Sequence, residues 1–179
     1  VDSVRMGQPV AMNGVVHQEY YVGPAGKVHP LPDGVSPEAA SLSYLAGWSV
    51  SALHLGRYAA AETVAVVGLG LVGASAALVA DMMGARVIGI DVAPERVERA
   101  ATFGLTAVVQ GGQGDTDALI ADAAGPRGVD LVLETSGAWS GFEQAFSVCR
   151  EYSRIALMGL YRRKPSAEYA LKLHQMLYG

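Results

Sequence analysis

At 179 residues the chain has room for one domain of ordinary size and a fragment of a second. Apolar residues make up 51% and charged residues only 17%, against about 25% charged in typical domains, which fits a parallel sheet covered by helices on both faces. A formal net charge of −4 with no basic cluster that stands out argues against nucleic acid and against an anionic membrane surface as partners. No apolar stretch approaches the roughly 18 residues of a membrane-spanning helix, and no secretory signal pattern opens the chain. The lone cysteine, Cys149, rules out an intrachain disulfide and a multi-cysteine zinc site, and a reducing, cytoplasmic setting is the expectation.

In chain order, residues Val10 to Val22 read as extended structure broken at Gly14. His29-Pro30-Leu31-Pro32-Asp33-Gly34 reads as a loop ending in a turn. Ser36 before Pro37-Glu38 is a helix start, a hydroxyl cap followed by proline at the first helical position, and helix-prone sequence runs to Leu55 with a break near Gly47. After Glu62 the pattern changes to strands alternating with helices, the mark of a parallel α/β sheet. Strands are expected at Thr63 to Val67, Ala85 to Ile90, Ala107 to Val109, Val129 to Leu133 and Ile155 to Met158. Between them the helical periodicity picks out Leu71, Ala74, Ser75, Leu78, Val79 and Met82. It next picks out Val97, Ala100 and Ala101 after Pro94, with Gly104 as the cap, then Asp115 to Ala123, and last Phe142, Ala145, Phe146 and Cys149. Met176-Leu177-Tyr178 reads as the start of a sixth strand. The chain opens at Val1 and closes at Gly179 after an apolar run, and both ends read as cut.

The stretch Val64 to Gly73 is a strand, the pattern G-x-G-x-x-G, and a helix. Gly68 allows the tight turn, Gly70 leaves the backbone open to a pyrophosphate, and Gly73 lets the helix close on the strand. The helix N-terminus then offers unpaired N–H groups to the phosphates. Asp91 closes the next strand at the expected distance of roughly 20 residues, which turns a common pattern into a dinucleotide-binding signature of the Rossmann type. The Asp91 carboxylate suits two free ribose hydroxyls, each hydrogen bond contributing about 1.5–3 kcal/mol. A 2′-phosphate there meets like charge, at a cost on the order of 4 kcal/mol per charge pair. NAD is therefore expected over NADP. Arg96 is the residue that speaks for a 2′-phosphate, with an exposed position on its helix as the plainer reading. Asp91 in turn has a plainer reading as a turn or cap residue.

These residues resemble the medium-chain dehydrogenase/reductase superfamily, zinc-type and alcohol dehydrogenase-like. The stretches that carry the resemblance are Val28 to Ala40, Glu62 to Gly73, Gly89-Ile90-Asp91, Pro94-Glu95-Arg96, Val129 to Gly137, and Arg154 to Leu160, the last resembling the strand that borders the nicotinamide. Within the superfamily the chain looks most like the bacteriochlorophyllide dehydrogenase-like group, which lacks the structural-zinc lobe. The resemblance implies a doubly wound α/β domain over 36–179, incomplete at its C-terminal end, preceded over 1–35 by the remnant of a GroES-like β domain and linker. It adds Leu69, Leu71, Val72, Val92, Thr135, Ser136, Gly137, Gly159 and Leu160 to the cofactor-binding set. It implies hydride transfer between an alcohol or similar carbinol and NAD, a small-molecule substrate and a homo-oligomer, with zinc only in a longer chain. Residues 41–45 (Ser41, Leu42, Ser43, Tyr44, Leu45) offer no good zinc ligand, so this segment alone is expected to be inactive.

No catalytic residue is assigned. His17, His29, His54 and His174 are scattered without metal-ligand spacing; His54 could pack or face the cleft. Cys149 reads as a buried small hydrophobe, and Glu134 either serves the crevice or pairs with a backbone N–H at its strand end. Two alternatives stay open: a non-catalytic NAD(H)-sensing module, and a zinc-free quinone or enoyl reductase of the same superfamily, against which Asp91 speaks.

Overall fold

The computed structural model describes residues 4–12 and 18–162. The chain divides into two units, Val1–Gly47 and Trp48–Gly179. In the first, β1 (Val10–Met12) and β2 (Val28–Pro30) pair antiparallel, with Ala11 opposite His29. A turn at Asp33–Gly34 leads to α1 (Pro37–Ala40), where the Ser36 hydroxyl accepts the Ala39 N–H at 3.2 Å and Pro37 takes the first helical position. The expected proline loop is thus a strand up to Pro30 and irregular only from Leu31. His17, Gly14 and the expected sixth strand lie outside the described residues.

The division between the units falls within α2 (Ser43–Leu55). The expected break at Gly47 is not there; the helix runs through it, and the interruption comes at Ser41–Leu42. One mid-helix glycine costs only about 1 kcal/mol. The Ser41 hydroxyl, in contrast, donates back to the Glu38 carbonyl at 2.6 Å, a local bond that competes with helix continuation.

The second unit alternates β3 (Thr63–Val67), α3 (Leu71–Met82), β4 (Arg86–Asp91), α4 (Pro94–Ala101), β5 (Ala107–Gln110), α5 (Thr116–Ala124), β6 (Val129–Glu134), α6 (Trp139–Ser147) and β7 (Cys149–Leu157). The five strands from β3 onward form one parallel sheet in the order β5-β4-β3-β6-β7. The order reverses between β3 and β6, and ligands of such sheets bind outside the carboxyl ends of the strands at that point.

Alternation along the strands builds two cores. Val64, Val66, Val87, Leu131 and Leu133 face one layer with Leu53 of α2 and Ala76, Ala77 and Ala80 of α3. Ala65, Val67, Ile88, Ile90 and Val132 face the other, against Ile120 and Ala124 of α5 and Ala145 of α6. Fully buried side chains such as Leu53, Ile88, Leu131 and Leu133 each contribute about 1.5–3 kcal/mol.

Three expected faces are different. On α3 the buried residues are Gly73, Ala76, Ala77 and Ala80, while Leu71, Leu78 and Met82 are exposed. The small residues let this helix lie close to the sheet and turn the large ones outward. On α4, Ala100 is buried, Val97 half-buried and Ala101 exposed; Thr102 is the cap, and Gly104, at φ +76°, belongs to the turn beyond it. Cys149 is not on α6 but opens β7, its thiol reaching back to donate to the Ala145 carbonyl at 3.1 Å.

β7 is longer than expected because it begins with an irregularity. Val129 pairs with Cys149 but Leu131 pairs with Arg154, so the extra residues bulge, with Tyr152 at φ +66°. Beyond the bulge, Arg154 donates to the carbonyls of Gly56 (3.0 Å) and Arg57 (2.6 Å) and to Glu62 Oε1 (2.5 Å). The guanidinium therefore sits where the exposed carbonyls after α2 favour a cation.

Candidate functional site

The turn out of β3 is built on Gly68. Its φ is +92°, and a Cβ there would come within 2.8 Å of the Ser136 amide nitrogen. Its N–H donates to the Ile90 carbonyl at 2.8 Å. Gly73 is required for close approach, since a Cβ would overlap the Gly68 carbonyl oxygen and press on Thr135 Oγ1. Gly70 differs: a Cβ there would meet nothing nearer than Arg96 Nη1 at 4.0 Å. Its side points into open space, where a ligand can reach the backbone. Gly70 also caps α3 without a side-chain hydrogen bond, leaving the first helical N–H groups open to an anion.

Asp91, at the end of β4, is 5% exposed. Its Oδ2 accepts the Leu69 N–H at 2.6 Å and its Oδ1 the Ala93 N–H at 2.9 Å. Arg96 Nη1 lies 3.4 Å from Oδ2. The residue read as a ribose ligand therefore also fixes the glycine loop and turns the chain into α4. Arg96 does not simply point into solvent; it leans back over the loop with its side chain 51% exposed. On the other side of the turn, Thr135 shares its hydroxyl between the carbonyls of Gly68 (2.6 Å) and Val67 (3.0 Å), and its N–H donates to Val67 at 2.9 Å.

These groups enclose a crevice of about 470 Å³ over the carboxyl ends of β3, β4 and β6, with Gly68, Gly70, Asp91, Val92, Arg96, Thr135 and Ser136 on its wall. Ser136 continues into a second cavity of about 440 Å³ together with Gly137, Trp139, Leu160 and Arg162. Of the remaining expected residues, Leu69 is buried against Gly89, Leu71 is exposed and Val72 half-buried on α3, and Gly159 packs beneath Gly137. None of these four lies on the wall of either cavity. His54 is exposed on α2 and is not on the crevice wall.

Gly111, Gly112, Ser140, Gly141 and Gln144 line the crevice and were not singled out from the sequence. The Gly111-Gly112 pair directly follows β5, so the rule that ligands sit beyond the strand ends would have found it. Glu134 does not face the crevice: it is fully buried, and its carboxylate accepts from the Ser136 N–H at 2.8 Å, the Ser136 hydroxyl and the Tyr161 hydroxyl. Among the described residues no three His, Cys, Asp or Glu side chains come together as a metal site. Also among them, no helix is long and apolar enough to cross a membrane.

Residues 72–178 match the family model described as zinc-binding dehydrogenase. The chain is 31% identical over 163 residues to an L-threonine 3-dehydrogenase of Vibrio cholerae, covering 89% of this chain and 46% of that protein. The chain thus spans about half the length of the curated relatives it matches. Among solved structures it is similar to the alcohol dehydrogenase TADH from Thermus sp. ATN1, at 30% identity and a TM-score of 0.68, over 81% of this chain and 44% of that one. It shares its fold with galactitol-1-phosphate dehydrogenase from Escherichia coli, at 22% identity and a TM-score of 0.75, over 89% of this chain and 47% of that one. Sheet order, glycine loop and family match agree: the chain belongs to the zinc-type medium-chain dehydrogenase/reductase superfamily, as its cofactor-binding segment.

Proposed function

We propose that this chain holds NAD(H) for an oxidoreductase that transfers hydride between an alcohol, or a similar carbinol, and the nicotinamide ring. The observation that carries this reading is the open side of Gly70 beside a buried Asp91 at the next strand end. The pyrophosphate lies over Gly70 and the first N–H groups of α3. The adenosine ribose meets Asp91 and Val92, and the nicotinamide end meets Ser136, Gly137 and Leu160. The cofactor supplies the hydride chemistry; the protein binds it, orients it and excludes water.

NAD is favoured over NADP because a 2′-phosphate would approach the Asp91 carboxylate, at a cost on the order of 4 kcal/mol per charge pair. Arg96 offsets part of that cost, so it sets how large the preference is. Zinc has no ligand set among the described residues. The similarity to proteins named alcohol dehydrogenase and L-threonine 3-dehydrogenase supports an alcohol as the small-molecule substrate. The single cysteine fits a reducing, cytoplasmic setting. Calorimetric titration of the chain with NADH and NADPH tests the reading: NADH is expected to bind more tightly, and equal affinity or a preference for NADPH overturns the role of Asp91.

A further inference from the structure

The second cavity shares Ser136 and Ala138 with the glycine-loop crevice but none of Asp91, Val92 or Arg96. On the dinucleotide reading above, with the adenosine at Asp91, this cavity takes the nicotinamide end. Two loops make its walls, one carrying Ser136 and Gly137 after β6, the other Leu160 after β7. Both hang on one residue. The Glu134 carbonyl accepts the N–H groups of Met158 (2.8 Å) and Gly159 (2.9 Å). Its carboxylate divides between the loops: Oε1 accepts the Ser136 N–H and hydroxyl, and Oε2 the Tyr161 hydroxyl.

No cation pairs with Glu134 among the described residues. A fully buried carboxylate is costly and persists only where fixed donors hold it. The loops also meet backbone to backbone, a Cβ on Gly137 coming within 2.8 Å of the Leu160 carbonyl oxygen and one on Gly159 within 2.7 Å of Gly137 Cα. Tyr161 packs against Trp139, ring centroids 4.7 Å apart and planes tilted by 37°, and makes an edge contact with Phe142.

We propose that Glu134 is a positioning residue for the nicotinamide half of the cofactor, acting through Ser136 on one loop and Tyr161 on the other; this rests on the dinucleotide reading above. Glu134 touches neither ring nor substrate. It sets the spacing of the two backbones that do, so loosening it on the Tyr161 side costs the nicotinamide half of the ligand and leaves the adenosine half, at Gly70 and Asp91, alone.

The test compares NADH with ADP-ribose, which lacks the nicotinamide, by calorimetry on the chain itself and on Tyr161→Phe and Glu134→Gln. Tyr161→Phe removes one hydroxyl and keeps the aromatic packing, so it remains informative if Glu134→Gln folds poorly. Tyr161→Phe is expected to weaken NADH about tenfold while ADP-ribose stays within about twofold. That ratio does not move if the cluster serves stability alone. Equal losses for both ligands, or an unchanged NADH affinity, overturn the proposal. An unsubstituted chain that takes neither ligand overturns the dinucleotide reading, and this inference with it.

Discussion

Asp91 Oδ2 accepts the backbone N–H of Leu69 at 2.6 Å, joining the end of β4 to the middle of the glycine loop across 22 positions of chain. The carboxylate proposed to select the cofactor is thus also part of the scaffold around the glycine loop. Asp91→Ser is expected to narrow the gap between NADH and NADPH affinity. It should also destabilise the domain by about 1–3 kcal/mol, because the Leu69 N–H loses its acceptor in a buried setting. Urea unfolding beside cofactor titration separates the two effects; an unchanged stability would show that the loop does not depend on Asp91.

The glycines of the loop fail differently when replaced. Gly70→Val adds bulk on the open side, so NADH binding is expected to vanish with the melting temperature nearly unchanged. Gly73→Val drives a side chain into the Gly68 carbonyl, and overpacking of this kind costs about 1–3 kcal/mol or more. Circular dichroism melts of the two variants check this. Retained NADH binding in Gly70→Val would mean that the cofactor lies elsewhere.

Asp130 marks a weak point in acid. Burial works against its ionisation, yet the Thr63 N–H, the Arg150 hydrogen bond and the charges of Arg150 and Arg154 prevail and hold its pKa below the ordinary 3.8. A carboxyl with a depressed folded-state pKa stabilises fully above its unfolded value and loses that contribution as pH falls through the folded one. Asp130→Asn should therefore lower stability at neutral pH and flatten its fall below about pH 4. Unfolding midpoints at a series of pH values read this directly, and parallel curves for the two proteins would exclude the role.

Burial pushes the Cys149 thiol above its ordinary pKa, with a smaller opposing pull from Ser153. Thiolate is the reactive form. Iodoacetamide at pH 8 should label the native chain at least about tenfold more slowly than the urea-unfolded chain. Equal rates would place the sulfur in open solvent.

Much of this was legible beforehand, for reasons that are local. The Ser36-Pro37 cap, the β-branched run from Thr63 to Val67 and the spacing from Gly68 to Asp91 each state a requirement met within a few residues or one βα unit. What the sequence hid was set by distant partners. The orientation of α3 was misread because Leu71, Leu78 and Met82 look like a core face until the sheet demands Ala76, Ala77 and Ala80 in their place. Cys149 keeps a helical period with Phe142 and Ala145, but pairing with Val129 claims it for a strand. Glu134 had two readings because its donors, Ser136 and Tyr161, come from separate loops. Periodicity reports which residues share a face and is silent on which face the rest of the fold will use.

The central strand acquires its two neighbours at very different moments of synthesis. β4 follows β3 closely, whereas the contact of Thr63 with Asp130 spans 67 positions. Until Val129–Glu134 has left the ribosome, one edge of β3 exposes unpaired amides and carbonyls to any other strand in reach. Ribosomes at about 5–20 residues per second take several seconds to close that gap. Over that interval the nascent chain is open to misassociation, and synonymous codon changes that slow translation between β4 and β6 lengthen it without altering a single contact of the finished fold.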